Sequence, residues 1–256
     1  MALVETVVDG YVAVITMHDP AKRNALSGAM LAELAAAFDG LAGVRAVVLR
    51  ARAGDPVWCA GFDIGALRAG DDPLAREGAL QGVFGRVAAC PAPVIGMLQG
   101  SAWGGGTDLA LRCDMLVGDG SARLAFTPGK LGLPYDPEGL LNAMWRLGAG
   151  LAMEMFATAA PVGAARLLAA GTLNHVVGAA EIEAFTLGLA EQMAANAPLS
   201  VASAKAQIRA WGAAGAWPAG VAQAVAEGRT RALLSEDYAE GLAAWRERRA
   251  ARFRGV

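Results

Sequence analysis

The stretch Gly100-Ser-Ala-Trp-Gly-Gly-Gly-Thr-Asp-Leu-Ala-Leu111 decides the fold, because it joins a strand to a helix that opens on three glycines. It follows the apolar run 93–98, which is typical of a buried strand, and continues into an apolar helical pattern. Glycines at a helix start let a backbone pass close to a ligand, and they leave N–H groups free at the positive end of the helix dipole. Such a site favours a negative charge, either permanent or developing in a reaction.

Strand and helix patterns alternate on both sides of this stretch. Ser27 is predicted to cap a helix that reaches about Leu41, and almost everything after Pro137 is predicted to be helical. This order indicates an α/β core, residues 1–197, followed by a helical domain, residues 198–256. The other predicted strands and helix cover residues 3–8, 11–17, 44–51, 93–98, 114–118 and 122–126 (strands) and 73–90 (helix).

Composition and charge exclude several classes of protein. The chain is 55% hydrophobic with a net charge of −2 and no long basic run, which disfavours nucleic acid as a partner. Cys59, Cys90 and Cys113 have no paired spacing and the two histidines lie far apart, so we expect free buried thiols and no metal. The chain shows neither a signal sequence nor a membrane span, so a cytoplasmic protein without a membrane partner is expected.

Two separate segments are candidates for binding one ligand atom through their backbone amides. They are residues 60–64 and the glycines at 104–106. Two N–H donors that converge on a carbonyl oxygen form an oxyanion hole, and each well-placed donor lowers a barrier by about 3 kcal/mol. Taken alone, each segment is better explained as a tight turn, because glycine clusters mostly serve the backbone conformation.

Acidic and phenolic side chains near these segments have two interpretations each. Asp108, on the first helical turn, is either an acid or base over the ligand or a solvated carboxylate that stabilises the dipole. Asp136 before Pro137 is typical of an N-cap, and Glu138 of a first-turn acid. Tyr135 is less well explained by capping, since a phenol can orient a carboxylate or deliver a proton.

Several short segments along the chain match one known family in the same order. They are residues 24–26, 60–64, 100–108, 113–114, 126–128, 131–134 and the tail segments 235–242 and 248–253. On these segments the chain resembles the crotonase, or enoyl-CoA hydratase/isomerase, superfamily over essentially its full length. The resemblance implies a ββα-superhelix core with a C-terminal α-helical trimerisation region, an acyl-CoA substrate with no further cofactor, and a homotrimer or dimer of trimers.

The resemblance also implies roles for single residues. The amides of Phe62 and Gly105 would form the oxyanion hole for a thioester, with Asp108 and Tyr135 as further catalytic residues. Arg249 and Arg252 would help to close the pocket of this subunit or of a neighbouring one. The implied substrate-binding residues are Lys22, Arg23, Ala60, Trp103, Thr127 and Phe253.

Departures from the family pattern reduce the number of candidate reactions. Hydratases of the family use two glutamates, but here the positions hold Asp108 and Gly129, which weakens the case for water addition. Trp103–Gly105, 131–135 and 171–177 are similar to the methylmalonyl-CoA decarboxylase branch. That similarity implies a lyase that needs no base, with Asp108 or a water returning a proton. A hydratase, an isomerase that uses Asp108, and a non-catalytic scaffold binding RNA or a partner protein stay open.

Overall fold

Two β-sheets and a set of surrounding helices make up the computed structural model, which describes residues 2–66, 78–213, 223, 227, 230 and 233–252. The strands are β1 (Val4–Asp9), β2 (Val12–Met17), β3 (Ala46–Ala51), β4 (Val57–Cys59), β5 (Val94–Leu98), β6 (Ser101–Trp103), β7 (Met115–Gly118), β8 (Arg123–Ala125), β9 (Val162–Gly163) and β10 (His175–Val176). Within the described residues, the helices are α1 (Gly28–Asp39), α2 (Gly78–Ala89), α3 (Gly105–Arg112), α4 (Pro137–Leu147), α5 (Ala149–Thr158), α6 (Ala164–Ala169), α7 (Ile182–Ala194), α8 (Pro198–Ala213) and α9 (Glu236–Glu247).

A repeated ββα unit builds the core. One sheet has the order β1-β2-β3-β5-β7-β10, and the other has the order β4-β6-β8-β9. In each of the units β3-β4-α2, β5-β6-α3 and β7-β8-α4, the first strand joins the six-stranded sheet and the second joins the four-stranded sheet. Equivalent strands of successive units pair in parallel. The ββα superhelix that the family resemblance implies is therefore confirmed.

The central strands β3 and β5 of the six-stranded sheet are buried on both faces, whereas the edge strand β1 is largely exposed. Val47 and Leu49 of β3 point into the main core with α1 and α2, whereas Ala46 and Val48 pack with α7 on the other face. A strand that is covered on both sides has no polar face, which explains why β5 and the first four residues of β3 form continuous apolar runs. The resulting rigid sheet carries the β5–β6–α3 connection on which the glycine cluster lies.

Several predicted boundaries need correction. Ser27 caps α1 through its Oγ, which accepts the Met30 amide at 3.3 Å, but the helix ends at Asp39 rather than Leu41. The expectation of an almost wholly helical chain after Pro137 is wrong at β9 and β10, which complete the outer edges of the two sheets. Of the predicted helix 73–90, residues 73–77 lie outside the described residues. Across the described ranges, no helix is both long and apolar enough to cross a membrane.

Helices α8 and α9 are held against the core by different contacts. Asp114, just before β7, pairs with Lys205 and Arg209 of α8 at 2.7 Å each. Helix α9 buries Tyr238 and Leu242 against a small cluster that includes Phe62. The last described helix is therefore packed directly on the segment that bears one of the two candidate amides.

Candidate active site

A cavity of about 710 Å³ opens where the start of α3 meets residues 60–65. The residues predicted from sequence come from five separate segments of the chain, and the fold brings them to this one cavity. Phe253 lies outside the described residues. The predicted residues on the cavity wall are Lys22, Arg23, Ala60, Phe62, Trp103, Gly105, Asp108, Thr127 and Tyr135.

The two candidate amides lie next to each other in the cavity wall. A Cβ added to Gly105 would be 3.4 Å from the Phe62 nitrogen, and one added to Gly61 would be 3.2 Å from the Gly105 nitrogen. Gly105 is the first residue of α3, so its amide has no acceptor within the helix. Among the described residues, neither amide donates a hydrogen bond. The arrangement thus offers two unused N–H donors at the positive end of a buried helix.

A short backbone contact fixes the segment that carries Phe62. The Leu26 amide donates to the Gly61 carbonyl oxygen at 2.7 Å, and the Ala60 amide donates to the Arg23 carbonyl oxygen at 3.0 Å. These bonds tie residues 23–26 to residues 60 and 61. The backbone just before the Phe62 amide is therefore held by two hydrogen bonds.

Asp108 is buried, which excludes the interpretation as a solvated carboxylate. Its side chain is 3% exposed, and its Oδ1 accepts hydrogen bonds from Asn142 Nδ2 at 2.8 Å and Arg112 Nε at 3.3 Å. Burial raises the pKa of Asp108, while Arg112 and Asn142 act in the opposite direction. A carboxyl group with a raised pKa on a cavity wall is suited to carry a proton to or from a ligand.

Tyr135 belongs to an aromatic cluster beside the glycine-opened helix. Its ring packs edge-on against Phe126 and Phe156, with centroids 5.2 Å and 5.0 Å away, and its hydroxyl donates to the Gly104 carbonyl oxygen at 3.4 Å. The following residue, Asp136, caps α4 by accepting the Gly139 amide at 2.8 Å, so the prediction of a capping role is confirmed. The cap and the cluster together hold the phenol close to the unused amides.

The loop with Lys22 and Arg23 is held by buried Asn24. The Asn24 side chain accepts the Asp19 amide at 2.6 Å and donates to the carbonyl oxygens of Val57 and Trp58. Lys22 forms an ion pair with Asp63 at 2.9 Å, and its hydrogen bond lowers the pKa of that carboxyl group. In the described part of the chain, Arg23 makes no ion pair.

Sequence reasoning missed several residues of the site. Gln81, Lys130 and Trp245 line the cavity, and Asn142 holds Asp108 from α4. The one available signal was Asn142, a polar residue on the otherwise apolar buried face of α4. Arg249 pairs with Glu240 and Glu247 and does not line the cavity of its own chain, so its role at the pocket of a neighbouring subunit stays a prediction.

Known proteins show the same sequence pattern and fold. Residues 8–256 match the family described as enoyl-CoA hydratase/isomerase. The chain belongs to this family. It is 36% identical over 248 residues to a methylmalonyl-CoA decarboxylase of Escherichia coli, covering 95% of each chain, and 32% identical to a putative enoyl-CoA hydratase of Thermus thermophilus, covering 95% of this chain and 98% of the relative.

Solved structures of the enoyl-CoA hydratase/isomerase family agree with this assignment. A methylmalonyl-CoA decarboxylase in complex with 2-nitronate-propionyl-CoA superposes with a TM-score of 0.95 at 35% identity, covering 99% of both chains. An enoyl-CoA hydratase from Mycobacterium avium subsp. paratuberculosis gives a TM-score of 0.82 at 26% identity, covering 99% of both chains. The protein is therefore an enzyme of the crotonase fold, the fold class expected from its sequence.

Proposed function

We propose that the protein is a lyase that decarboxylates a methylmalonyl-CoA-like thioester through an enolate. The observation that carries the proposal is the pair of unused amides of Phe62 and Gly105 on the cavity wall. They would bind the thioester oxygen and hold its growing negative charge as the bond from the α-carbon to the carboxylate breaks. The electron pair of that bond passes into the enolate, CO₂ leaves, and the α-carbon then takes up one proton.

The carboxylates of the cavity favour decarboxylation over hydration. Water addition requires one group to activate water and a second to protonate the α-carbon. Asp63 is paired with Lys22, and Asp136 is occupied by the Gly139 amide and by Gln81 at 3.1 Å. Asp108 also accepts two hydrogen bonds, but burial raises its pKa, whereas Lys22 lowers the pKa of Asp63. Asp108 is therefore the carboxyl group suited to proton transfer, and decarboxylation needs no more than one.

Tyr135 would hold the departing carboxylate. Its hydroxyl lies within 3.4 Å of the Gly104 carbonyl oxygen, next to the Gly105 amide that would bind the thioester oxygen. A carboxylate held out of the thioester plane has its breaking bond aligned with the forming enolate. Apolar walls from Phe62, Trp103 and Phe84 would further favour conversion of the charged carboxylate to neutral CO₂.

Coenzyme A would enter as part of the substrate, with no additional cofactor. Lys22, Arg23 and Lys130 place three cations on the cavity wall, which suits the phosphates of this carrier. Ala60 and Thr127 would line the path of the substrate. Phe253, outside the described residues, is proposed to contribute from the C-terminal segment.

The subunits are proposed to assemble as a homotrimer or a dimer of trimers. Apolar side chains such as Met153, Leu199 and Ile208 are more than half exposed in the single chain, which supports burial in an assembly. Measuring the mass in solution by light scattering tests this, and a monomer at micromolar concentration would refute it.

A double-bond isomerase is the second candidate, and Asp108 is the observation that favours it. One buried carboxyl group can move a proton between two carbons, so Asp108→Asn should abolish double-bond migration if this is the reaction. A hydratase is less well supported because the other two carboxylates on the described cavity wall are engaged, Asp63 in an ion pair with Lys22 and Asp136 in the cap of α4.

The deciding experiment incubates the protein separately with methylmalonyl-CoA and with crotonyl-CoA and follows product masses. Release of CO₂ with formation of the decarboxylated thioester is expected from the first substrate. Hydration of crotonyl-CoA without any CO₂ release from methylmalonyl-CoA would overturn the proposal. A gel shift with RNA is expected to be negative, given the net charge of −2.

A further inference from the structure

We propose that Asn142 and Arg112 are positioning residues that hold Oδ1 of Asp108, so that Oδ2 carries the proton delivered to the enolate carbon. The inference rests on the proposed function and deepens it, since it names the atom that completes the reaction. It also assigns a reason to two residues that do not touch the substrate.

Both hydrogen-bond donors reach the same carboxyl oxygen. Asn142 Nδ2 lies 2.8 Å from Asp108 Oδ1, and Arg112 Nε lies 3.3 Å from it. Within the described residues, Oδ2 has no hydrogen-bond partner. An oxygen that already accepts two N–H donors has no room for a proton of its own, so the neutral acid must carry its hydrogen on Oδ2.

Gly139 shows where Oδ2 is located. A Cβ at that position would lie 2.6 Å from Asp108 Oδ2 and 2.7 Å from Cε1 of Tyr135. Because Gly139 has no side chain, Asp108 Oδ2 lies beside the ring of Tyr135, the phenol that would hold the departing carboxylate. The proton and the group that leaves would be handled within one small region of the cavity.

Arg112 is fixed by packing and not by a second carboxylate. Its guanidinium lies over the Phe84 ring, 5.3 Å from the centroid, and its buried Nη2 has no hydrogen-bond partner in the described part of the protein. Its carbonyl oxygen accepts a hydrogen bond from Arg209 of α8. The Phe84 ring on α2 thus holds the guanidinium whose Nε donates to Asp108.

The charges around Asp108 allow the neutral acid to form. Arg112 on the same helix and Asp136 ahead of α4 act in opposite directions on its pKa, and burial has the largest effect and raises it. After CO₂ leaves, the α-carbon takes the proton from Oδ2, and the resulting Asp108 carboxylate is reprotonated from solvent. Delivery from one fixed oxygen places the new hydrogen on one face of the enolate.

The test follows the configuration of the new C–H bond. The protein is incubated briefly with methylmalonyl-CoA in D₂O, and the configuration of the α-deuterated propionyl-CoA is determined. One configuration should predominate by about 100-fold in the natural protein, because a positioned acid exceeds water by at least that factor. In the variants Asn142→Leu and Arg112→Met, this excess of one configuration should fall to about tenfold or less, because the Asp108 carboxyl group is no longer held in one orientation.

Matched variants keep the test decisive. Glu138→Gln on the exposed first turn of α4 should preserve the configurational excess, since Glu138 does not line the cavity. If Arg112→Met does not fold, Arg112→Lys keeps the charge but loses the Nε donor and should also lower the excess. A racemic product from the natural protein, or an undiminished excess in both folded variants, overturns the inference while leaving decarboxylation intact. Absence of CO₂ release overturns the proposed function itself.

Discussion

Gly61 and Trp103 are in backbone contact, because a Cβ on Gly61 would lie 2.3 Å from the Trp103 carbonyl oxygen. No side chain fits between the two segments. This contact brings the residue before Phe62 against the residue two positions before Gly105. The proposed oxyanion hole therefore depends on a close approach that glycine alone permits, at a φ of +88°.

Replacing Gly61 with alanine should damage both stability and activity. Gly54 has a φ of +90° but nothing within 4 Å of its Cβ position, so Gly54→Ala isolates the cost of the backbone conformation. We expect Gly61→Ala to lose about 1–3 kcal/mol more than Gly54→Ala, since it adds overpacking to the same conformational strain. Urea unfolding of both variants measures the difference, and equal losses would contradict the close approach.

The glycine cluster and its two flanking segments could be predicted from sequence because their signals are local. A few neighbouring residues are enough to recognise a helix start with three glycines, an N-cap before a proline or an apolar strand. The two-residue strands β9 and β10 could not be, since two residues show no periodicity. These two strands form only because they pair with the outer strands of sheets built from other parts of the chain.

The supporting contacts of the site were hidden for a different reason. The hydrogen bond between Asn142 and Asp108 depends on how α4 is rotated against α3. The ion pair between Lys22 and Asp63 joins two loops that are distant in sequence. Trp245 reaches the cavity only because α9 folds back onto the core. These are tertiary contacts, and the hydrophobic pattern and secondary-structure propensity of a sequence do not determine them.

Asn24→Ala should raise KM more than it lowers kcat. The side chain holds the loop that carries Lys22 and Arg23, so its loss should displace the proposed phosphate-binding cations while leaving Asp108 in place. The unpaired buried groups should also cost about 1–3 kcal/mol of stability. Steady-state kinetics with the thioester substrate measure the first effect. Asn196→Ala, at an exposed asparagine, is the control, and a selective fall in kcat for Asn24→Ala would refute the assignment.

Tyr135→Phe should lower kcat for decarboxylation by about 10- to 100-fold, because a hydrogen bond to a charged group is lost. The ring contacts with Phe126 and Phe156 remain, so the melting temperature should change little. Tyr11→Phe, at an exposed tyrosine, controls for loss of a hydroxyl in general. Decarboxylation at the natural rate in Tyr135→Phe would show that the phenol does not hold the carboxylate.

Asp108→Asn should stabilise the protein at neutral pH while impairing proton delivery. Burial raises the folded-state pKa of Asp108 above its unfolded value, so its favourable contribution is present below the unfolded pKa and lost as the pH rises through the folded one. The advantage of the variant should therefore be small near pH 4 and grow with pH. At pH 7 we expect about 0.5–2 kcal/mol, the range common for a single stabilising substitution.

Asp63→Asn provides a control of opposite sign for this prediction. Lys22 lowers the pKa of Asp63, so the contribution of that carboxylate is present above its unfolded pKa and is lost as the pH falls. Asp63→Asn should therefore lose stability at neutral pH and approach the natural protein in acid. Urea unfolding from pH 4 to pH 8 compares the two variants. Parallel pH profiles, or a loss of stability in Asp108→Asn at pH 7, would mean that Asp108 is held as a satisfied ion pair and not as a poised acid.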